Sequence, residues 1–225
     1  MSSTDTGRGA DDATPREPDA DPSPVDARIS HVLGEQFLTP PDRERVDAVG
    51  AWAQEWLVTA DSLPIEIETA LERIVDGGDD DVETLRTAYT HLFRGINRDD
   101  PDPPYESMYA GGGGFYSETT TEIRQGYRWA GVAVDPTAGN EPPDHIGLEL
   151  QFLGELVAMD DADMDDAEPD VADAKWWLVN EHLMEWVPSY LAQIQQADPQ
   201  DYYAGLIELT LAVVTTHHDR LGEQQ

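Results

Sequence analysis

The segment Glu141-Pro142-Pro143-Asp144-His145 sets two carboxylates and an imidazole around two prolines, immediately before a strongly apolar stretch. Prolines fix the approach of the chain, and an aspartate there is suited to cap the free amides of a following helix. The same residue types also bind cations, so the segment reads either as a helix start or as a binding site. A second segment, Pro104-Tyr105-Glu106-Ser107-Met108-Tyr109, places aromatics after prolines in a stretch of loop character. A core helix would not put them there.

Other chemistries find less support. His145 and Glu149 are four residues apart and share a helix face, but a catalytic zinc site commonly takes about three protein ligands. Neither His182 nor the His217-His218 pair supplies a third at a recognisable spacing. Asp161, Asp163 and Asp165 imitate the opening of a calcium loop, yet Asp166 stands where that loop needs glycine and Ala172 where it needs glutamate. A solvated acidic linker accounts for them. The run Gly111-Gly112-Gly113-Gly114 is followed by Phe115-Tyr116, not by the Lys-Ser/Thr pair that meets phosphates in a P-loop. No serine sits in a nucleophile elbow. The chain has no cysteine, which removes thiolate ligands and nucleophiles. The expectation is a non-enzyme with no cofactor; the competing reading is a helical metal-dependent enzyme using His145 and Glu149.

The elements that must position these groups are helices. Apolar residues recur with a period near 3.6 from Val25 onward, and no segment sustains the alternation of a strand. Ile29, Val32, Leu33, Phe37 and Leu38 make one face, stopped by Thr39-Pro40-Pro41. Asp42 opens a second helix, Leu63 to Val75 makes a third, and a fourth from Asp80 or Asp81 stops at Gly95. Residues 96–116 break the rhythm, and a long irregular stretch inside a compact domain usually has a function. Helix resumes from Glu118 to Trp129, and a mostly buried helix runs from Asp144 to Met159. A long helix follows that carries Trp176, Trp177, Trp186 and Pro188, where a kink is expected. The last helix spans roughly Gln200 to Leu221. The fold class expected is all-α: a single globular domain of about eight helices over residues 25–225, preceded by a disordered acidic tail over 1–24.

Forty-seven acidic against 13 basic residues give a net charge of −34. Six tryptophans and eight tyrosines argue against a disordered chain. Adaptation to a salt-rich cytoplasm accounts for the charge, because at molar salt the Debye length is about 3 Å and surface carboxylates are screened from one another. Such a surface argues against nucleic acid or an anionic membrane as the main partner. The first 24 residues hold no apolar stretch and no run reaches the length of a membrane span, so a cytoplasmic protein without stable membrane insertion is expected.

Four motifs in order resemble the TorD/DmsD family of redox-enzyme maturation proteins. Glu141-Pro142-Pro143-Asp144-His145-Ile146 with Glu149-Leu150-Gln151-Phe152-Leu153 is similar to the family signature E-x-P-D-H-x-x-x-E-L-x-F-L. Tyr89-x-x-Leu92-Phe93-x-Gly95, Pro104-Tyr105-Glu106-Ser107 and His182-Leu183-x-x-Trp186-x-Pro188 resemble its other segments. The resemblance implies a chaperone that binds the twin-arginine leader and apo form of a molybdopterin oxidoreductase of the dimethyl-sulfoxide or trimethylamine-oxide reductase type. The client is then held back from export until its cofactor is inserted. An assembly chaperone of the nitrate-reductase type is the alternative within the family, and a monomer or a domain-swapped dimer would fit either. Carried over by motif, Asp144 and His145 line the leader groove, with Tyr89, Leu92, Phe93, Pro104 and Tyr105 as the nearby wall. Glu141, Asp144 and Glu106 would then meet the leader's arginines, an expectation in keeping with how carboxylates receive guanidinium groups.

Overall fold

The structure, a computed structural model, describes residues 26–109, 118–132, 141–161 and 171–223, and the side chains of all of these except 160 and 161. The tail expected over 1–24, the four-glycine run and Asp163, Asp165 and Asp166 lie outside the described residues.

Helices begin where a side-chain acceptor meets an amide that has no partner within its own helix. Asp26 accepts from Arg28 N at 2.8 Å at the head of α1 (Ala27–Leu38), and Asp42 from Arg45 N at 2.8 Å at α2 (Arg43–Thr59). Asp81 accepts from Thr84 N at 3.2 Å at α4 (Val82–Phe93). Each such cap contributes about 1 kcal/mol. α3 (Ile65–Gly77) starts directly after Pro64, with no side-chain cap. α4 stops because Gly95 takes φ +54°, a left-handed turn that releases the chain from the helix axis.

The irregular region contains one short helix, α5 (Glu106–Tyr109), which the sequence reading took for loop. α6 (Glu118–Trp129) has its expected bounds, and α7 (Ile146–Asp161) starts two residues later than expected. α8 (Val171–Trp177) and α9 (Met184–Gln196) are continuous through a π-helical stretch, Leu178–Leu183. The departure from α geometry therefore falls before Pro188: the amide of Met184 still reaches back to Val179 O, and Pro188 has no amide to return to Met184. α10 (Asp201–Glu223) completes the chain. With α8–π–α9 taken as one, the described residues form eight helices longer than one turn, plus α5, and no strand.

The core is one cluster, with α7 packed on α1 and α10 packed on α3. Ile146, Leu150, Leu153 and Leu156 of α7 are wholly buried. α1 and α7 touch backbone to backbone. A Cβ on Gly34 would lie 2.5 Å from Gly147 O, and one on Gly147 would lie 2.6 Å from Gly34 O. This contact sets the depth at which α7 enters the core, and so the position of the loop before it. No helix among the described residues is long and apolar enough to cross a membrane.

Gly147→Ala should therefore lower the unfolding free energy by about 1–3 kcal/mol, since neither backbone can retreat without opening the core. Gly50→Ala on α2, where an added Cβ meets nothing within 4 Å, should raise it by about 0.5–1 kcal/mol through helix propensity. Urea denaturation of both variants measures the contrast, and equal shifts would show that α1 and α7 are not in tight register.

Candidate functional site

The two segments singled out in the sequence meet. Tyr105 and His145 form an isolated antiparallel bridge. Glu106 N donates to Asp144 O at 2.9 Å, and Ile146 N donates to Pro104 O at 3.0 Å. The pairing brings the N-termini of α5 and α7 side by side, and their caps are crossed. Asp144 does not cap α7 as expected. Its Oδ2 accepts from Ser107 N on α5, at 3.2 Å. The α7 amides are met by His145, whose Nδ1 accepts from Gly147 N at 3.0 Å. A histidine can accept through Nδ1 only when that nitrogen carries no proton. Burial agrees, pushing the His145 pKa down to about 4, so the ring is neutral at pH 7.

At the outer edge of this junction Glu141 holds an arginine of the same chain. Arg94 donates to Glu141 Oε1 at 2.7 Å, the Tyr105 hydroxyl donates to Oε2, and Arg94 also donates to Tyr89 Oη at 3.2 Å and lies over the Tyr89 ring. Burial raises the Glu141 pKa, but the Tyr105 hydroxyl and the Arg94 guanidinium outweigh it and hold the group below its ordinary value. Tyr89 donates in turn to Phe37 O at 2.8 Å, tying α4 to α1. Leu92 and Phe93 lie in the core behind, Phe93 edge-on to Phe37 and Tyr203.

At the inner edge three carboxylates crowd together. Glu106 pairs with His182, Nδ1 to both carboxylate oxygens at 2.9 Å. Glu149 Oε2 accepts from Trp186 Nε1 at 3.2 Å, and Oε1 has no hydrogen-bond partner among the described residues. Burial, then the charges of Glu106 and Asp144, drive the Glu149 pKa well above 4.5. Of this group Glu149 is the member whose charged form is most disfavoured. Burial raises Glu106 as well, opposed by His182. From the far side Tyr127 of α6 donates to Pro143 O at 2.9 Å and packs on Phe152.

All nine predicted site residues belong to this junction or its immediate backing, but they do not line an open groove. Tyr89, Leu92, Phe93, Pro104, Tyr105, Glu106, Asp144 and His145 are buried, and Glu141 is half-buried. The arginines expected from a partner find Glu141 taken by Arg94 and Glu106 by His182. Sequence reasoning missed Arg94, although an arginine between Phe93 and Gly95 in so acidic a chain was a signal. It noted His182 and Trp186 as motif residues without placing them here. Among the described residues no group of three His, Asp or Glu is arranged to hold a metal ion. His145 Nδ1 is occupied by Gly147 N, and burial disfavours the charged form of Glu149.

Over residues 60–192, which contain every residue of the junction except the α1 carbonyls, the chain matches the family described as the nitrate reductase delta subunit. It is 30% identical to the chaperone protein TorD of Vibrio cholerae over 155 residues, 68% of this chain and 69% of that protein. The chain belongs to the TorD/DmsD family of molybdoenzyme maturation chaperones. A chain assigned as the Tat proofreading chaperone DmsD of Haemophilus influenzae is 24% identical over 84% of this chain and 79% of that one. The solved structure of a candidate redox enzyme maturation protein from Archaeoglobus fulgidus has a TM-score of 0.48 at 22% identity, covering 87% of this chain and 93% of that chain. The relatives are named as chaperones, in keeping with a non-enzyme.

The junction carries two opposed pH dependences. The folded pKa of Glu149 is raised, so its contribution to stability is full below the ordinary carboxyl value and is lost as pH rises through the folded one. The folded pKa of His145 is depressed from 6.5 to about 4, so its contribution is present above 6.5 and is lost as pH falls toward 4. Glu149→Gln keeps the shape and removes the first effect. Relative to the wild type, this variant should gain stability from pH 5 to pH 8, by up to about 1.4 kcal/mol per pH unit. Parallel stability profiles for the two proteins in urea would show that Glu149 is not the protonated member.

Proposed function

We propose that this chaperone binds the twin-arginine leader and the apo form of a molybdopterin-dependent oxidoreductase, delaying export until the cofactor is in place. One observation supports the reading most: the family's motif segments join into a single rigid junction whose outer edge, Glu141 with Tyr105, is built to hold a guanidinium. Arg94 fills that place in the free chain. A carboxylate backed by a tyrosine hydroxyl and an aromatic face is an arginine-recognition arrangement wherever the arginine comes from.

The leader docks over the face under which the junction lies. Glu141 and the Arg94 turn reach that face, and Tyr105 and Pro104 stand just beneath it. Asp144, His145 and Glu106, with Tyr89, Leu92 and Phe93, act from behind by fixing where the 94–105 and 141–145 segments stand. Cytoplasmic action and service to a reductase of the sulfoxide or amine-oxide type belong to this proposal. A nitrate-reductase-type assembly role is the second reading, favoured by the description of the matching family; a client lacking a leader would select it.

Calorimetric titration of the full chain with a synthetic twin-arginine leader, taken from a molybdopterin oxidoreductase of the same genome, tests the proposal. The wild type should bind. Glu141→Ala should bind about tenfold or more weakly, as expected for a lost charge-assisted contact of roughly 1.5–3 kcal/mol. Asp144→Ala should weaken binding and also lower stability, because it removes the α5 cap. A wild type that binds no such leader overturns the proposal.

A further inference from the structure

His182 joins the junction to the surface. Its Nδ1 donates to Glu106, and its ring, only 4% exposed, forms the floor of a cleft of about 400 Å³ between α6 and the π-helical stretch. One wall is a stripe on α6, Glu122, Gln125 and Trp129, spaced so that all three share a helix face. The other wall is Trp177 and Glu181. Gly126 lets the walls meet, since a Cβ there would lie 2.3 Å from the Trp177 ring. The π-helical stretch begins directly after Trp177, and such insertions occur often at functional sites because they re-aim neighbouring side chains.

The exposed charged groups that line this cleft are acidic. Glu122 and Glu181 are exposed carboxylates, and Gln125 offers a carbonyl oxygen. His182 is engaged with Glu106 through Nδ1, which leaves Nε2 as the ring nitrogen outside that pair. Among the described residues that line it there is no lysine or arginine. The aromatic faces are Trp177, half-buried on the ring of His182 at 4.2 Å, and Trp129, 44% exposed. Acceptors and indole faces without a donor cation suit a flat group that is positive, rich in N–H donors and able to stack. Among side chains that is the guanidinium of arginine; the lysine ammonium is a compact point charge that stacks poorly.

We propose that this cleft is the arginine-recognition site for the client leader, taking the guanidinium of one of its paired arginines between Trp129 and Trp177 and onto Glu122 and Glu181. The inference rests on the leader-binding reading above and adds a second charged contact to the one at Glu141. Glu106, predicted to meet a leader arginine itself, instead holds His182 in the orientation that completes the cleft floor. A peptide seated there would be sensed by the junction through His182.

The test uses the full chain at low ionic strength with two synthetic peptides. One carries adjacent arginines before an apolar stretch, and the other has both arginines replaced by lysine. Tryptophan fluorescence should change on binding the arginine peptide, with affinity about tenfold above that for the lysine peptide. Glu122→Gln/Glu181→Gln and, separately, Trp129→Ala should each weaken arginine-peptide binding about tenfold with thermal unfolding unchanged. Asp173→Asn/Glu185→Gln, which removes two exposed carboxylates outside the cleft, should change it less than about twofold. If both double variants weaken binding equally, attraction is general and the cleft assignment falls. Should the wild type bind while no cleft variant differs from it, the leader sits elsewhere; the cleft assignment falls and the chaperone reading stands. A wild type that binds neither peptide removes both.

Discussion

The structure turns on a short pairing of backbone, Tyr105 against His145, that brings two helix N-termini together. Backbone amides at a buried helix start must find acceptors, since an unpaired buried N–H is costly. Here each segment supplies the other's need: Asp144 caps α5, while Pro104 O takes the amide of Ile146 and His145 caps α7. Neither cap works if the segments separate. Arg94, bonded to Glu141 from the end of α4, and Tyr127, bonded to Pro143 O from α6, brace the arrangement from two sides. The position of α7 against α1, fixed by Gly34 and Gly147, delivers His145 to this point.

Burying charge around such a junction is expensive unless each group is paired or neutralised. The three carboxylates solve this differently. Asp144 is held by the α5 amide, Glu106 by His182, and Glu149 by the Trp186 indole, with its pKa raised well above the ordinary carboxyl value. One Asp144 oxygen and the Ser107 hydroxyl face no partner among the described residues, so the solution is incomplete. A polar core of this kind is stiff when fully paired and responsive when one member changes state. Under the proposed leader-binding role, a base tied to the surface by one histidine is a suitable construction. His182 is that tie, with Glu106 on one side and the Trp129–Trp177 cleft on the other.

Much of the fold was legible along the chain. Asp42 read correctly as a helix start, and the fourth helix start was narrowed to Asp80 or Asp81, because capping is local: an acceptor, a few free amides and the first apolar residue lie within one turn. Gly95 read correctly as a stop for the same reason. α5 was not legible, because a four-residue helix has no period to detect and is held by Asp144, which is 37 residues away in sequence. The cap of α7 was misassigned between neighbours. Both Asp144 and His145 can accept from an amide, and only the pairing with Tyr105 turns the aspartate away.

The sequence by itself determined that the protein is helical, where most helices begin and end, and which segments carry its family identity. Those properties depend on periodicity, local capping and residue order, all of which are written along one strand of chain. Tertiary structure alone decided that the recognised residues are a buried junction, that Arg94 occupies Glu141, and that the Glu149 pKa is raised. These are matters of what lies across from a side chain and of how much water reaches it. Glu122, Trp129, Trp177 and Glu181 carried no signal in the sequence, because a cleft between two helices exists only once both are packed.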